Sequence, residues 1–243
     1  MKAKVFLTAV AVLAATSVLA GTLNVVSSFM SQKTWRKGLD YEAGYIYTTS
    51  NYSDNNIHKY TTAGSLVGSI PSPASSMDLK WDGSYIWLCT FSPAYVYRLT
   101  STGSVVTSFS GPASGYGLAW TGTYLYYSST SGNMIWRMTT TGSVVTSFSS
   151  GCSFVGGLDY DGTNLWVADW PSSGGGLKYM TTNGSLLDSF TTPGAARPSG
   201  VCWDGTYVWY HQYSTEPAPC FRAEVSFSGV APTSMGKIKA VFR

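Results

Sequence analysis

The chain has 243 residues, of which 44% are hydrophobic, 15% aromatic and only 11% charged. That composition excludes a disordered acidic or basic chain, which carries high net charge and few aromatics. A formal charge of +3 is too small to mark a nucleic-acid or anionic-membrane partner. Ser and Thr together number 62, so hydroxyls rather than charges supply the polar surface.

In chain order, residues 1–20 read as a signal peptide. Lys2 and Lys4 form a basic start, Val5 to Leu13 an apolar run, and Val18 and Ala20 the small residues a signal peptidase accepts. The run is too short to span a membrane core of ~30 Å. Cleavage after Ala20 would release an exported, nearly neutral chain. No later segment is long and apolar enough to span a membrane.

Five segments then repeat: GLDYEAGYIY from Gly38, DLKWDGSYIW from Asp78, GLAWTGTYLY from Gly117, GLDYDGTNLW from Gly157 and GVCWDGTYVW from Gly200. Their first aromatics, Tyr41, Trp81, Trp120, Tyr160 and Trp203, are spaced by 40, 39, 40 and 43 residues. A second aromatic follows six residues later in each: Tyr47, Trp87, Tyr126, Trp166 and Trp209. Between them lies a turn, Asp-Gly in three segments, which tolerates positive φ and predicts a tight hairpin. The first four hairpins are each followed by two more apolar stretches around a turn closed by Gly64, Gly103, Gly142 or Gly184. Four short strands in about 40 residues is the pattern of a β-propeller blade.

The fifth hairpin is followed by a third strand near Cys220-Phe221-Arg222 but by no fourth. The missing piece stands at the other end, where Asn24 to Phe29 matches Ser104 to Phe109. The prediction is an all-β, five-bladed propeller over residues 21–228, closed by its N-terminal strand, with a C-terminal tail at 229–243. That tail carries Lys237, Lys239 and Arg243 among apolar residues, and reads equally as a pairing strand or a frayed end.

Units such as WDGSYIWL, YDGTNLWVAD and WDGTYVWY, followed by YRLTSTGSVVTSF, resemble the bacterial exported YncE-like and NHL-like β-propeller repeats. The resemblance covers roughly residues 22–228. It implies architecture and not activity, because that group includes both enzymes and binding proteins. Five-bladed lectins of the tachylectin type are similar in size and blade count, although their binding motifs are not visible here.

Four cysteines, Cys89, Cys152, Cys202 and Cys220, allow three pairings, with buried free thiols as the alternative. Cys202 and Cys220 share one repeat unit and are the expected bridge. The Asp-Gly carboxylates read as turn residues, and the ten repeated aromatics as packing between blades. Tyr52, Phe91, Tyr95, Tyr116, Trp170 and Tyr213 lie in connections outside that pattern. These connections emerge on one face of the ring, so the six are expected to bind ligand. Asp169, His211 and Glu216 share that face and are the candidates for acid–base chemistry or polar contacts.

With two histidines and no H-E-x-x-H, G-x-S-x-G or P-loop, no metal, cofactor or catalytic residue is expected. The expected function is an exported, non-enzymatic propeller that binds a neutral glycan or other surface polymer. A structural subunit of an extracellular or envelope assembly, homo-assembly included, is the alternative, and a hydrolase or lyase the third reading.

Overall fold

The structure, a computed structural model, describes residues 20–31, 36–50, 54–171, 174–195, 197–213 and 217–229. The expected signal peptide therefore lies outside the described residues except for Ala20, and so does the tail beyond Gly229. Strand β1 (Thr22–Met30) comes first. Blade one follows as β2 (Arg36–Glu42), β3 (Tyr45–Ser50), β4 (Asn56–Thr61) and β5 (Leu66–Pro71). Blade two is β6 (Asp78–Trp81), β7 (Ile86–Cys89), β8 (Tyr95–Leu99) and β9 (Val105–Ser110). Blade three is β10 (Gly115–Trp120), β11 (Leu125–Ser129), β12 (Met134–Met138) and β13 (Val144–Ser149). Blade four is β14 (Val155–Tyr160), β15 (Leu165–Asp169), β16 (Gly176–Met180) and β17 (Leu186–Thr191). Blade five holds β18 (Pro198–Trp203), β19 (Val208–Gln212) and β20 (Pro219–Ser226).

Each blade is a four-stranded antiparallel meander, except that blade five runs β1-β20-β19-β18. The N-terminal strand thus closes the ring, with Phe29 opposite Cys220 and Thr22 opposite Ser226. The first strands β2, β6, β10, β14 and β18 pack side by side around the axis, β18 returning to β2. Burial falls along each blade: β10 and β11 are buried nearly throughout, β12 alternates, and β13 is exposed.

The repeated residues hold blade to blade. Trp87 faces Trp120 of the next blade at 6.2 Å, Trp166 faces Trp203 at 6.4 Å, and Tyr47 faces Trp81 at 5.5 Å. The Asp-Gly turns are structural as expected. Asp82 Oδ1 accepts the amides of Ser84 and Tyr85, while Oδ2 accepts Trp87 Nε1–H at 3.0 Å and Arg98 at 3.1 Å. Asp204 repeats this with Thr206, Tyr207 and Trp209. Gly83, Gly162 and Gly205, at φ of 92°, 98° and 95°, supply the left-handed turn residue.

The expected Cys202–Cys220 bridge is corrected by the strand order. Cys202 lies on β18 and Cys220 on β20, with β19 between them. Two strand spacings of about 4.8 Å exceed the ~7 Å that a disulfide tolerates between Cα atoms. All four cysteines are buried and none is in a disulfide. Burial pushes the thiols of Cys89 and Cys202 well up, and that of Cys152 to about 12, where Asp169 also raises it. Thiols held in this way are unreactive.

The axis itself is filled with charge. Aligning the repeats places Asp78 where the other blades have Gly38, Gly117, Gly157 and Gly200. There is no room for a side chain at those glycines: a Cβ on Gly38 would strike the Asp78 backbone. The Asp78 carboxylate accepts the amides of Leu39 (3.2 Å), Leu118 (2.9 Å) and Leu158 (3.3 Å), joining three other blades. Two residues on, Lys80 donates to the carbonyls of Leu39 and Val201 and lies 3.3 Å from both Asp40 and Asp159. Burial opposes the Lys80 charge, but Asp159, Asp40 and Asp78 outweigh it and raise its pKa. Burial likewise pushes the Asp78 carboxyl up to about 7. One carboxylate and one ammonium on blade two therefore plug the channel.

Candidate functional site

Second strands end, and first strands begin, at the same end of the ring, so the intervening loops share one face. Above the axial charges, the first strands present Lys37, Met77, Tyr116, Gly156 and Ser199 at one aligned position. The loops leaving second strands place Phe91, Trp170 and Tyr213 there, each four residues beyond the blade's second aromatic. The segments entering first strands add Phe154 and Arg197, again at one aligned position. All five blades contribute.

The rings close on one another. Trp170 lies 5.1 Å from Tyr116, 4.5 Å from Phe154 and 4.9 Å from Tyr213, centroid to centroid. Phe91 meets Tyr116 edge-on at 6.4 Å. Trp170 fits because Gly156 beneath it has no side chain; a Cβ there would press on the indole at 3.0 Å.

Lys37 stands inside this cluster. Its Nζ donates to Tyr116 Oη at 2.6 Å and lies 5.0, 4.3 and 3.7 Å from the ring centroids of Tyr116, Trp170 and Tyr213. Arg197 covers Trp170 and Tyr213 at 5.1 and 5.0 Å. Ring faces attract cations, but burial and then the Arg197 charge lower the Lys37 pKa to about 7. Among the described residues, Trp170 Nε1–H and Arg197 Nε–H are buried without an acceptor. The cluster is thus rich in cations and donors.

Its carboxylates are committed elsewhere. Asp169 Oδ1 and Oδ2 accept the amides of Phe154 (2.9 Å) and Ser153 (3.2 Å), and Lys178 lies 3.5 Å away. Asp169 therefore fixes the loop that presents Phe154 and is not an acid–base group facing ligand. His211 is fully buried below the cluster, its Nδ1 3.2 Å from Ser199 Oγ and its Nε2 3.3 Å from the Gly38 carbonyl. It ties β18 and β19 to β2.

Of the six aromatics expected to bind ligand, Phe91, Tyr116, Trp170 and Tyr213 come together. Tyr95 does not join them; its ring packs 5.9 Å from Tyr97 on β8. Tyr52 and Glu216 lie outside the described residues. One expectation needs correction: Trp170 is only 8% exposed and belongs to a packed core, so it is not a spare ring above the fold. Phe91, at 36%, is the exposed ring. Phe154, Tyr213 and Arg197 are half-buried, while Lys37 and Tyr116 form the floor. Lys37, Phe154 and Arg197 were missed by sequence reasoning. Their signal was an aligned position that does not repeat: Lys37 aligns with Met77, Tyr116, Gly156 and Ser199, and Phe154 and Arg197 align with Trp35, Ser75 and Ser114.

No family model matches the chain, and no curated protein matches it in sequence. Solved structures do match in shape. A glutaminyl cyclase of Myxococcus xanthus superposes with a TM-score of 0.71 at 12% identity, over 86% of this chain and 99% of that one. An aldose sugar dehydrogenase of Streptomyces coelicolor, in its PQQ-bound form, gives 0.56 at 11% identity, over 86% and 99%. A virginiamycin B lyase of Staphylococcus aureus gives 0.51 at 20% identity, over 79% and 67%. At these identities the likeness is one of fold, and the fold is a five-bladed β-propeller with enzymes among its structural neighbours.

Proposed function

We propose that this chain is an exported, non-enzymatic recognition propeller of the YncE-like and NHL-like kind, and that its ring mouth binds a carbohydrate. The cations at the mouth support an acidic glycan over a neutral one. The observation that carries this reading is the convergence of Lys37 and Arg197 among rings from blades two to five, with buried donors, while Asp169, the carboxylate beside the mouth, is held by Lys178 and two backbone amides. Phe91 and Tyr213 offer faces for the apolar side of a pyranose, and a sugar carboxylate would accept from the Arg197 guanidinium.

The test is calorimetric titration of the protein with a uronic-acid polysaccharide and with a neutral glucan. The acidic polymer should bind at least about tenfold more tightly, as one charge-assisted hydrogen bond of 1.5–3 kcal/mol implies. Arg197→Gln should remove that preference while the melting temperature stays near the parent's. Equal affinity for both polymers, or binding that survives Arg197→Gln, defeats the reading. Turnover of the bound polymer would instead place the chain among the enzymes.

A second reading, a subunit of an extracellular assembly, is favoured by the outer strands. Leu66-Val67, Val105-Val106 and Val144-Val145 are exposed apolar pairs at matching places on the edges of blades one to three. Exposed apolar edge strands template pairing with other chains. Sedimentation at rising concentration separates the two readings: ordered polymers would favour the assembly.

A further inference from the structure

The outermost strands share an aligned position held by Ser27, Gly68, Thr107, Thr146 and Asp188. Four of these are exposed; Asp188 is only 2% exposed. It lies on blade four, beside the seam where β1 meets β20. Elsewhere an outer turn fills this place, with Gly142 and Gly184 seated on Phe109 and Phe148 of the preceding blade. Blade five has no such turn, because β20 ends and β1 begins there.

The segments that flank the propeller, Gly21 before β1 and Phe227-Ser228 after β20, substitute for the turn. Phe227 packs 5.6 Å from Phe190 and 5.0 Å from Tyr179. Gly21 bridges to Phe190 and lies so close to its ring that any Cβ would overlap it. Both segments then converge on one carboxylate. Asp188 Oδ1 accepts Gly21 N–H at 2.9 Å, and Oδ2 accepts Ser228 N–H at 2.8 Å. Its third partner is the Ser189 amide at 2.8 Å. Among the described residues no Lys, Arg or His side chain pairs with this buried carboxylate.

A buried carboxylate without a cation is costly. Here the cation is one bond away from existing. Cleavage after Ala20 would turn the Gly21 amide into the chain's α-ammonium, and Ala20 is exposed while Gly21 is buried. We propose that Asp188 is the docking site for the processed N-terminus, so that leader removal creates a buried Gly21 ammonium–Asp188 ion pair that locks the ring seam. Hydrolysis of the Ala20–Gly21 bond leaves a carboxylate on Ala20 and an amine on Gly21, which takes up a proton below its ordinary pKa of ~7.7–8.0. The bond to Asp188, until then charged on the acceptor alone, becomes an ion pair and strengthens. Glycine is required at this position by the Phe190 ring, not by the peptidase.

This inference rests on the leader reading of residues 1–20, and the test has separate arms for the two. The 243-residue precursor is expressed in an exporting bacterial host and the purified protein weighed by intact mass. A mass beginning at Gly21 is expected, and any other first residue overturns the proposal. Chain 21–243 is then melted beside the same chain extended by Ala20 alone, each with Asp188 and with Asp188→Asn. Extension should lower Tm by about 3 °C or more with Asp188 present, and by under about 1 °C with Asn. Equal Tm for both starts, or an equal loss in both backgrounds, overturns the clamp. If Asp188→Asn does not fold, the Gly21 amine of the native chain is labelled with an amine-reactive ester. Protection of about tenfold or more over the unfolded chain is expected, as for a group that reacts only on local opening. Labelling at the unfolded rate overturns the proposal.

Discussion

The shell between blades and the column along the axis follow opposite rules. In the shell each blade repeats its neighbour, so Trp87, Trp166 and Trp209 are buried in equivalent settings and their blades' Asp-Gly turns fold alike. Along the axis five first strands converge on one line, and identical residues would collide. Four glycines make room for Asp78, two aspartates flank Lys80, and Lys37 reaches across to Tyr116. Repetition builds the ring, and departure from repetition fills its centre.

The largest expected effect lies at the seam, where the shell's repetition is interrupted by the termini. Deleting residues 21–30 removes β1 and the Phe29 ring, which packs on Tyr60 at 5.8 Å and Trp209 at 6.3 Å. It also bares the β20 edge. The deletion should yield no soluble monomer with a cooperative melt; a melt like the parent's would mean that the ring closes without β1.

Next come single substitutions in each region. Trp166→Ala, in the shell, should cost ~3–5 kcal/mol in urea unfolding, as buried aromatic truncations do. Lys80→Met, on the axis, should cost a similar ~3–5 kcal/mol at pH 7.5 because it strands Asp40 and Asp159. The two differ in their response to pH. Burial, opposed by Lys80, already pushes the Asp40 carboxyl up to about 7, so in Lys80→Met both carboxyls take protons readily. Its deficit should shrink at pH 5, while that of Trp166→Ala should not. Equal deficits at both pH values would show that Lys80 acts through packing alone.

At the mouth the same comparison separates floor from rim. Trp170→Ala, on the floor, should cost ~3 kcal/mol or more, whereas Phe91→Ala, on the rim, should stay within about 1 kcal/mol of the parent. If Phe91→Ala leaves stability intact but weakens binding of the acidic polymer, the rim is the ligand surface.

This contrast also explains what was legible in sequence. The blade count and the seam were readable because packing imposes a period, and Asn24 to Phe29 carries the outer-strand pattern at the wrong end of the chain. The mouth was half readable: Phe91, Trp170 and Tyr213 stand out as aromatics in loops, yet nothing local told that Trp170 would be sealed by Phe154 and seated on Gly156. Lys37 and Asp78 were overlooked because each sits at the start of a first strand, where it resembles a surface residue. Only aligning the five blades shows that the position points inward. The Cys202–Cys220 expectation failed for a related reason: membership of one blade does not make two strands adjacent.

The smallest effect concerns Lys37, the axis residue nearest the mouth. Its amine is lowered to about 7 by burial and then by Arg197, against 10.5 for the unfolded chain. Between those values the unfolded chain binds a proton that the native state lacks, so the Lys37 contribution to stability rises with pH. Below pH 7 the penalty for holding a buried ammonium is fully present; by pH 10.5 it is gone. Urea midpoints of the parent and Lys37→Met, taken at pH 6.5, 8 and 9.5, isolate this contribution, because the axial carboxyls and the buried tyrosines are common to both proteins and cancel in the difference. The parent should gain on the variant as pH rises. Ligand binding should run the other way, because only the ammonium attracts an anion: affinity for the acidic polymer should fall as pH climbs through 7 in the parent and stay level in Lys37→Met. A parent that loses ground to the variant with rising pH would mean that the three ring faces outweigh burial and keep Lys37 charged throughout.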